Sequence, residues 1–171
     1  MIGGENIVVK NCQLGAQPTG ITCKVQEVNK LSFINNQVYP DGRENLVLDA
    51  CNNCVIEGNN FKSYYNGILV LNGNDNTVNK NIFWLTGAVQ NQLLDHGDAF
   101  GIINVKGNNN MVASNSLSCE WAYAGAVTVN AVQGTGNVFK NCFVDNLESY
   151  RVFLVNAQTE VSNCVSSDKV S

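Results

Sequence analysis

Apolar positions along the chain come in short bursts separated by Asn and Gly, and no stretch sustains the 3.6-residue spacing of an amphipathic helix. One phrase recurs: an apolar residue, two spacers, an Asn, one spacer, a second apolar residue. Ile56, Asn59 and Phe61 form one copy, and Val78, Asn81 and Phe83 form the next. The Asn falls at positions 11, 36, 59, 81, 115, 141 and, in degenerate form, 163, at intervals of 25, 23, 22, 34, 26 and 22 residues. Before it come Val8, Phe33, Ile56, Val78, Val112 and Val138. After it come Val38, Phe61, Phe83, Leu117, Phe143 and Val165, with Gln13 in the first copy. Each repeat adds a second apolar run: Ile21 to Val25, Leu46 to Leu48, Ile68 to Leu71, Ile102 to Val105, Val127 to Val132, and Val152 to Val155. These runs are short and rich in Ile and Val, as strands are.

Self-similarity at this period marks stacked repeats. Two or three strands per repeat, with no crossover helix, predict an all-β chain: a right-handed parallel β-helix of about seven coils. Identical positions then stack about 4.8 Å apart, giving a column roughly 34 Å long. A buried Asn at each turn would donate to one neighbouring coil and accept from the other, so a ladder of amides satisfies itself. Removing Asn59 or Asn81 should cost about 1–3 kcal/mol. The competing architecture is an antiparallel sandwich, since Asp41-Gly42, Asn66-Gly67 and Asn72-Gly73 are legitimate hairpin turns. Hairpins, however, do not require one phrase at one period.

Composition supports a folded chain. Of 171 residues, 44% are hydrophobic and 14% charged, enough apolar surface for a core and too little charge for disorder. The net charge of −4 argues against a nucleic-acid partner, whose phosphates demand a basic face. No apolar run is long enough for a membrane span. The start, Met1-Ile2-Gly3-Gly4-Glu5, shows no signal peptide. The pattern reads as one domain over residues 1–171. Its first strand, Ile7 to Val9, begins with nothing ahead of it to cap the column, and a partner or a longer parent would have to cover that end. Among the seven Cys, Cys51 and Cys54 form a C-x-x-C with no second pair or histidine cluster to complete a metal site. The reading is a structural, reduced pair, with no metal and no cofactor.

The 34-residue interval is irregular. It holds an insertion of about ten residues within Trp84 to Phe100, with Asp95, the only His (His96) and Asp98. Tyr64 and Tyr65 precede it, and Glu120, Trp121 and Tyr123 follow. Aromatic faces beside carboxylates suit a sugar, whose C–H face stacks while its hydroxyls hydrogen-bond. The plainer reading is that the insertion packs on a neighbouring subunit and its acids are solvated. Spacing alone favours the plainer one.

Several stretches resemble inulin fructotransferases, in matching order: Asn35 to Arg43 (N-N-Q-V-Y-P-D-G-R), Cys51-Asn52-Asn53-Cys54, Tyr64-Tyr65-Asn66-Gly67 with Leu71-Asn72-Gly73, Asp98-Ala99-Phe100-Gly101, and Gly107-Asn108-Asn109-Asn110. The resemblance spans nearly the whole chain and corresponds to the C-terminal part of such an enzyme. It implies a bacterial homotrimeric β-helix, secreted or not, that binds fructan between subunits. The reaction it implies is intramolecular fructosyl transfer releasing a cyclic difructose dianhydride, with neither water nor metal. That chemistry uses one carboxylic acid on the leaving oxygen and one carboxylate, as in glycosidases. The family's Pro-Asp-Gly turn is replaced here by Pro18-Thr19-Gly20, and threonine cannot serve as the acid. Glu27 matches the family's Glu across a one-residue gap, and Asp98 is the candidate for the second carboxylate. Arg43, Tyr65, Trp84, Asp95 and His96 are the candidate sugar-binding residues.

Three functions follow: a fructotransferase-like enzyme, a non-catalytic trimeric β-helix that binds carbohydrate or serves as a scaffold, and a fibre segment. Thr19 favours the second over the first. The aromatic and acidic insertion favours either over the third.

Overall fold

Among the described residues every strand pairing in the computed structural model is parallel, which excludes the antiparallel sandwich. The structure describes residues 2–15, 21–39, 44–64, 67–86, 101–119, 127–146 and 151–166, and these contain no helix. Nothing in them is a helix long and apolar enough to cross a membrane. The chain winds as a parallel β-helix with three strand-bearing faces.

The first face stacks β5 (Leu46–Asp49), β8 (Leu69–Asn72), β11 (Ile103–Val105), β14 (Val127–Ala131) and β17 (Arg151–Val155). The second stacks β6 (Val55–Glu57), β9 (Thr77–Asn79), β12 (Met111–Ala113), β15 (Val138–Lys140) and β18 (Glu160–Ser162). On the third lie β7 (Asn60–Ser63), β10 (Ile82–Leu85), β13 (Ser116–Cys119), β16 (Phe143–Asn146) and β19 (Val165–Ser166), preceded by β2 (Gln13–Leu14) and β4 (Gln37–Val38).

The expected seven coils are corrected to about five complete three-strand turns. The two earliest coils differ because β1 (Ile2–Lys10) and β3 (Cys23–Ile34) each run across the first two faces as one strand. In β3 the corners are made inside the strand, where Glu27 and Lys30 take φ of 56° and 62°. This left-handed geometry costs a residue with a Cβ roughly 1–2 kcal/mol. It turns Val25, Val28, Leu31 and Phe33 inward in succession, all buried.

The core is a set of columns rather than a layer. On the third face Val38, Phe61, Phe83, Leu117 and Val144 point inward on successive rungs. The rings of Phe61 and Phe83 stack with centroids 4.9 Å apart and planes 2° from parallel. Such offset aromatic contacts add about 0.5–1.5 kcal/mol beyond area burial.

The amide ladder is present, in a corrected register. Its members are Asn36, Asn59, Asn81 and Asn115, each buried. Each Nδ2 donates to the Oδ1 of the next: Asn36 to Asn59 at 3.1 Å, Asn59 to Asn81 at 2.9 Å, Asn81 to Asn115 at 3.1 Å. Asn11, Asn141 and Asn163 are not rungs of it. They occupy the left-handed corner one residue earlier, with φ of 56°, 54° and 51°, like Asn35, Lys80 and Ser114. At those coils the ladder position holds Cys12, Cys142 and Cys164. The displacement follows from the register at two of these coils: Phe139, not Val138, is the inward partner of Val112, and Val9, not Val8, that of Phe33.

A second buried ladder joins the first two faces, with Asn76 donating to Asn110 at 3.0 Å and Asn110 to Asn137 at 3.1 Å. Cys54 stands one rung before it, its backbone N–H donating to Asn76 Oδ1 at 2.8 Å. Both halves of the C-x-x-C are thus interior column residues. Their thiols are free, and burial is the main cause that pushes each above the ordinary thiol range.

Candidate functional site

The irregular coil is described as far as Thr86, after β10, and again from Gly101, before β11. At the exit, Thr86 is held by its backbone N–H and its hydroxyl, which both donate to Ser63 O, at 2.8 and 3.2 Å. At the return, buried Asn104 clamps Gly101: its Nδ2 donates to Gly101 O at 2.7 Å and its Oδ1 accepts from Gly101 N–H at 2.9 Å. Gly101 O also accepts from the Gly67 N–H one coil earlier, at 2.8 Å. A side chain in strand β11 would ordinarily pair along the sheet. Here it locks the local turn instead.

This clamp yields a prediction. Asn104→Ala leaves the Gly101 N–H without its acceptor in a buried place, a cost of about 1–3 kcal/mol. Limited proteolysis should cut residues 87–100 faster in the variant, with the rest of the column intact. An unchanged cleavage pattern would mean that Asn104 does not hold the return.

Beside Thr86, the outward row of the third face reads Lys62, Trp84, Ser118 and Asp145, on successive strands, and Tyr39 follows directly on β4. The Lys62 Nζ lies 4.2 Å from the centroid of the Trp84 ring. A cation over an indole face is worth about 0.5–1 kcal/mol at an open site. Tyr64, 47% exposed, follows Ser63 at the end of β7. Exposed Ile82 and Phe143 stand in the neighbouring outward row, with half-buried Ser116 between them.

The sequence-derived residues separate by location. Trp84 is half-buried on this face. Glu27 is exposed, at the left-handed corner between the first two faces, and so belongs to the other sheet. One copy of the chain therefore does not set Glu27 and Trp84 on a common face. Arg43, Tyr65, Asp95, His96 and Asp98 lie outside the described residues, as do Thr19, Glu120, Trp121 and Tyr123.

Lys62 and Asn104 were not among the expected residues. The signal for Lys62 was its rung: it lies 22 residues before Trp84, one repeat away, on the same side of its strand. Asn104 gave none, because an Asn within an Ile/Val run reads as a strand residue. Among the described residues no three His, Cys, Asp or Glu side chains converge as metal ligands would. A small cavity lined by Asn104, Val105, Lys106, Val132 and Gln133 carries no carboxylate.

Comparison with solved structures returns the likeness anticipated from the sequence, at the level of the fold. DFA-IIIase from Arthrobacter chlorophenolicus A6 in complex with GF2 superposes with a TM-score of 0.71 at 19% identity, over 95% of this chain and 43% of that one. Its C387A mutant in complex with DFA-III gives 0.73 at 18% identity, over 95% and 45%. The same enzyme without its lid, with GF2, gives 0.75 at 18%, over 98% and 48%. The chain thus spans under half the length of these enzymes. No curated protein matches the sequence. The model of a family described as periplasmic copper-binding protein (NosD) matches residues 1–163, and the chain belongs to that NosD family.

Proposed function

We propose that this β-helix binds fructan oligosaccharides on the outward side of its third face, beside the end of β10. The observation that carries the proposal is the Trp84 ring held under the Lys62 ammonium, 4.2 Å away, near the end of β10. A furanose ring offers C–H groups to an indole and hydroxyls to neighbouring polar groups. Ser118 and Asp145 supply such groups on the next two rungs. The DFA-IIIase structures of the same fold hold GF2 and DFA-III, which makes fructan the sugar to try first.

Copper, named in the family's description, does not enter the proposal. The described donors do not fit it: no ligand trio converges, and burial raises the thiols of Cys23, Cys51, Cys54 and Cys142, which disfavours the thiolates that a metal would need.

Fructosyl transfer needs an acid and a carboxylate at the bound sugar. With Glu27 on the other sheet from Trp84, transfer at the Trp84 face requires that a second copy bring its Glu27 to the bound sugar, as in a trimer, with Asp98 as the proposed second carboxylate. The separation within one copy favours the second reading, a module that binds without transfer.

Calorimetric titration with short inulin oligosaccharides should show binding, and Trp84→Ala should weaken it about tenfold. Product analysis by mass spectrometry then separates the readings. A difructose dianhydride that vanishes in Glu27→Gln identifies the transferase, and bound but unaltered sugar identifies the binding module. The absence of both binding heat and product would overturn the proposal.

A further inference from the structure

The column that holds the first amide ladder continues past Asn115 as two thiols. Cys142 and Cys164 occupy its next two rungs, fixed by the β16–β19 register of Phe143 with Val165 and by the Val165 N–H donating to Cys142 O at 2.9 Å. Rungs about 4.8 Å apart put their Cα atoms inside the range of about 4.4–6.8 Å that a disulfide spans. Cys142 is buried, with Sγ 3.7 Å from Val112 O and 3.5 Å from Lys140 O. Cys164 is half-buried, with Sγ 3.6 Å from Ser162 O. Both are free, and burial first, with the neighbouring Cys164 thiol adding to it, pushes the Cys142 thiol above the ordinary range.

The other described thiols lack this arrangement. Cys12 has Asn36 as its column neighbour, and its backbone N–H donates to Asn36 Oδ1 at 3.0 Å. Cys23 pairs with Leu46. Cys51 and Cys54 lie on one coil in different columns, both buried.

We propose that Cys142 and Cys164 are an oxidation site: a small-molecule disulfide of the glutathione class converts them to a disulfide that staples two successive coils. The half-buried Cys164 sulfur, as thiolate, attacks one sulfur of the reagent, forms a mixed disulfide and expels one thiolate. The Cys142 thiolate then attacks the Cys164 sulfur, breaking the mixed disulfide and expelling the second. Two protein thiols are oxidised, one S–S bond forms, and the reagent leaves as two reduced thiols. Burial slows the second step by holding Cys142 protonated.

The staple has a mechanical consequence. Strands β17 and β19 stand last in the strand order of their sheets and pair on one side only among the described residues. A covalent link between two rungs raises the cost of locally unfolding the coils it joins. The disulfide ties the coil of β17–β19 to the coil of β14–β16, which is paired on both sides.

The test uses the whole chain in glutathione buffers stepped from reducing to oxidising, quenched with acid and alkylated. Cleavage after Lys140 and Arg151 places the two thiols on separate peptides. The expected result is a linked Cys142–Cys164 peptide that reduction releases, with amide exchange across 151–166 slowed about tenfold or more. Cys164→Ser, at the less buried position, should abolish both effects of oxidation. A stable mixed disulfide on Cys164 with Cys142 still alkylatable would overturn the proposal. So would a Cys51–Cys54 link forming in its place, or a Cys142–Cys164 link that leaves exchange unchanged.

Discussion

Gly107→Ala should lower stability by on the order of 4 kcal/mol, among the largest losses a single methyl group can cause in this fold. Gly107 is buried, and a Cβ built on it would fall onto the backbone carbonyl of Gly73 in the preceding coil. The same arrangement repeats along the column, with Gly73 against the Cys51 carbonyl and Gly134 against that of Gly107. Gly107 has no positive φ, so the requirement is close approach rather than backbone freedom. The clashing atom belongs to the main chain and cannot rotate away. Relief requires the coils to part, and the Gly73 carbonyl already accepts from Asn110 Nδ2 at 3.0 Å. Parting would break the second amide ladder where it is buried.

The control lies one residue away. Asn108 is exposed, and its amide bridges Asn74 Oδ1 at 3.0 Å and the Thr135 N–H at 2.9 Å. Water can replace both bonds, so Asn108→Ala should cost about 0.5–1 kcal/mol. Urea denaturation of the two variants compares them directly. Equal shifts in midpoint would show that the glycine column is not closely stacked.

The repeat phrase was legible because burial imposes it. Ile56, Val78, Phe61 and Phe83 face inward as the spacing required, and four of the seven Asn positions are rungs of the ladder. The remaining three were misplaced by one residue for a physical reason. Asn suits two adjacent stations of this coil: the ladder, where its amide donates and accepts, and the corner, where its short polar side chain tolerates the left-handed region. At Asn35-Asn36 both stations hold Asn, whereas at Asn11-Cys12, Asn141-Cys142 and Asn163-Cys164 only the corner does. A pattern that counts Asn cannot tell one from the other.

Asn76, Asn110 and Asn137 escaped notice because they directly precede β9, β12 and β15, outside the phrase. The candidate site was less legible still. Its residues sit on separate coils, and nothing in the spacing of Glu27 and Trp84 discloses that they lie on different sheets. The continuous β3 was equally hidden, since its corners are made by Glu27 and Lys30 and not by Gly or Pro, the usual marks of a turn.

Asn81→Ala should cost about 3 kcal/mol, near the top of what the sequence suggested, because the amide serves both neighbours at once. Its Oδ1 accepts from the Asn59 backbone N–H and from Asn59 Nδ2, both at 2.9 Å. Its Nδ2 donates to Ile56 O at 2.8 Å and to Asn115 Oδ1 at 3.1 Å. Truncation orphans two donors on Asn59, which is itself buried and has no route to solvent. The acceptors suffer less: Asn115 Oδ1 keeps the Asn81 backbone N–H at 2.9 Å. The loss should therefore fall mainly on the coil before the substitution. Hydrogen exchange can resolve this asymmetry, with the Asn59 amide losing protection and the Ser116 amide, which donates to Asn81 O at 2.9 Å, keeping it. Equal loss on both sides would mean that the ladder transmits strain along the whole column. A midpoint that does not move would mean that these amides are satisfied by something other than each other.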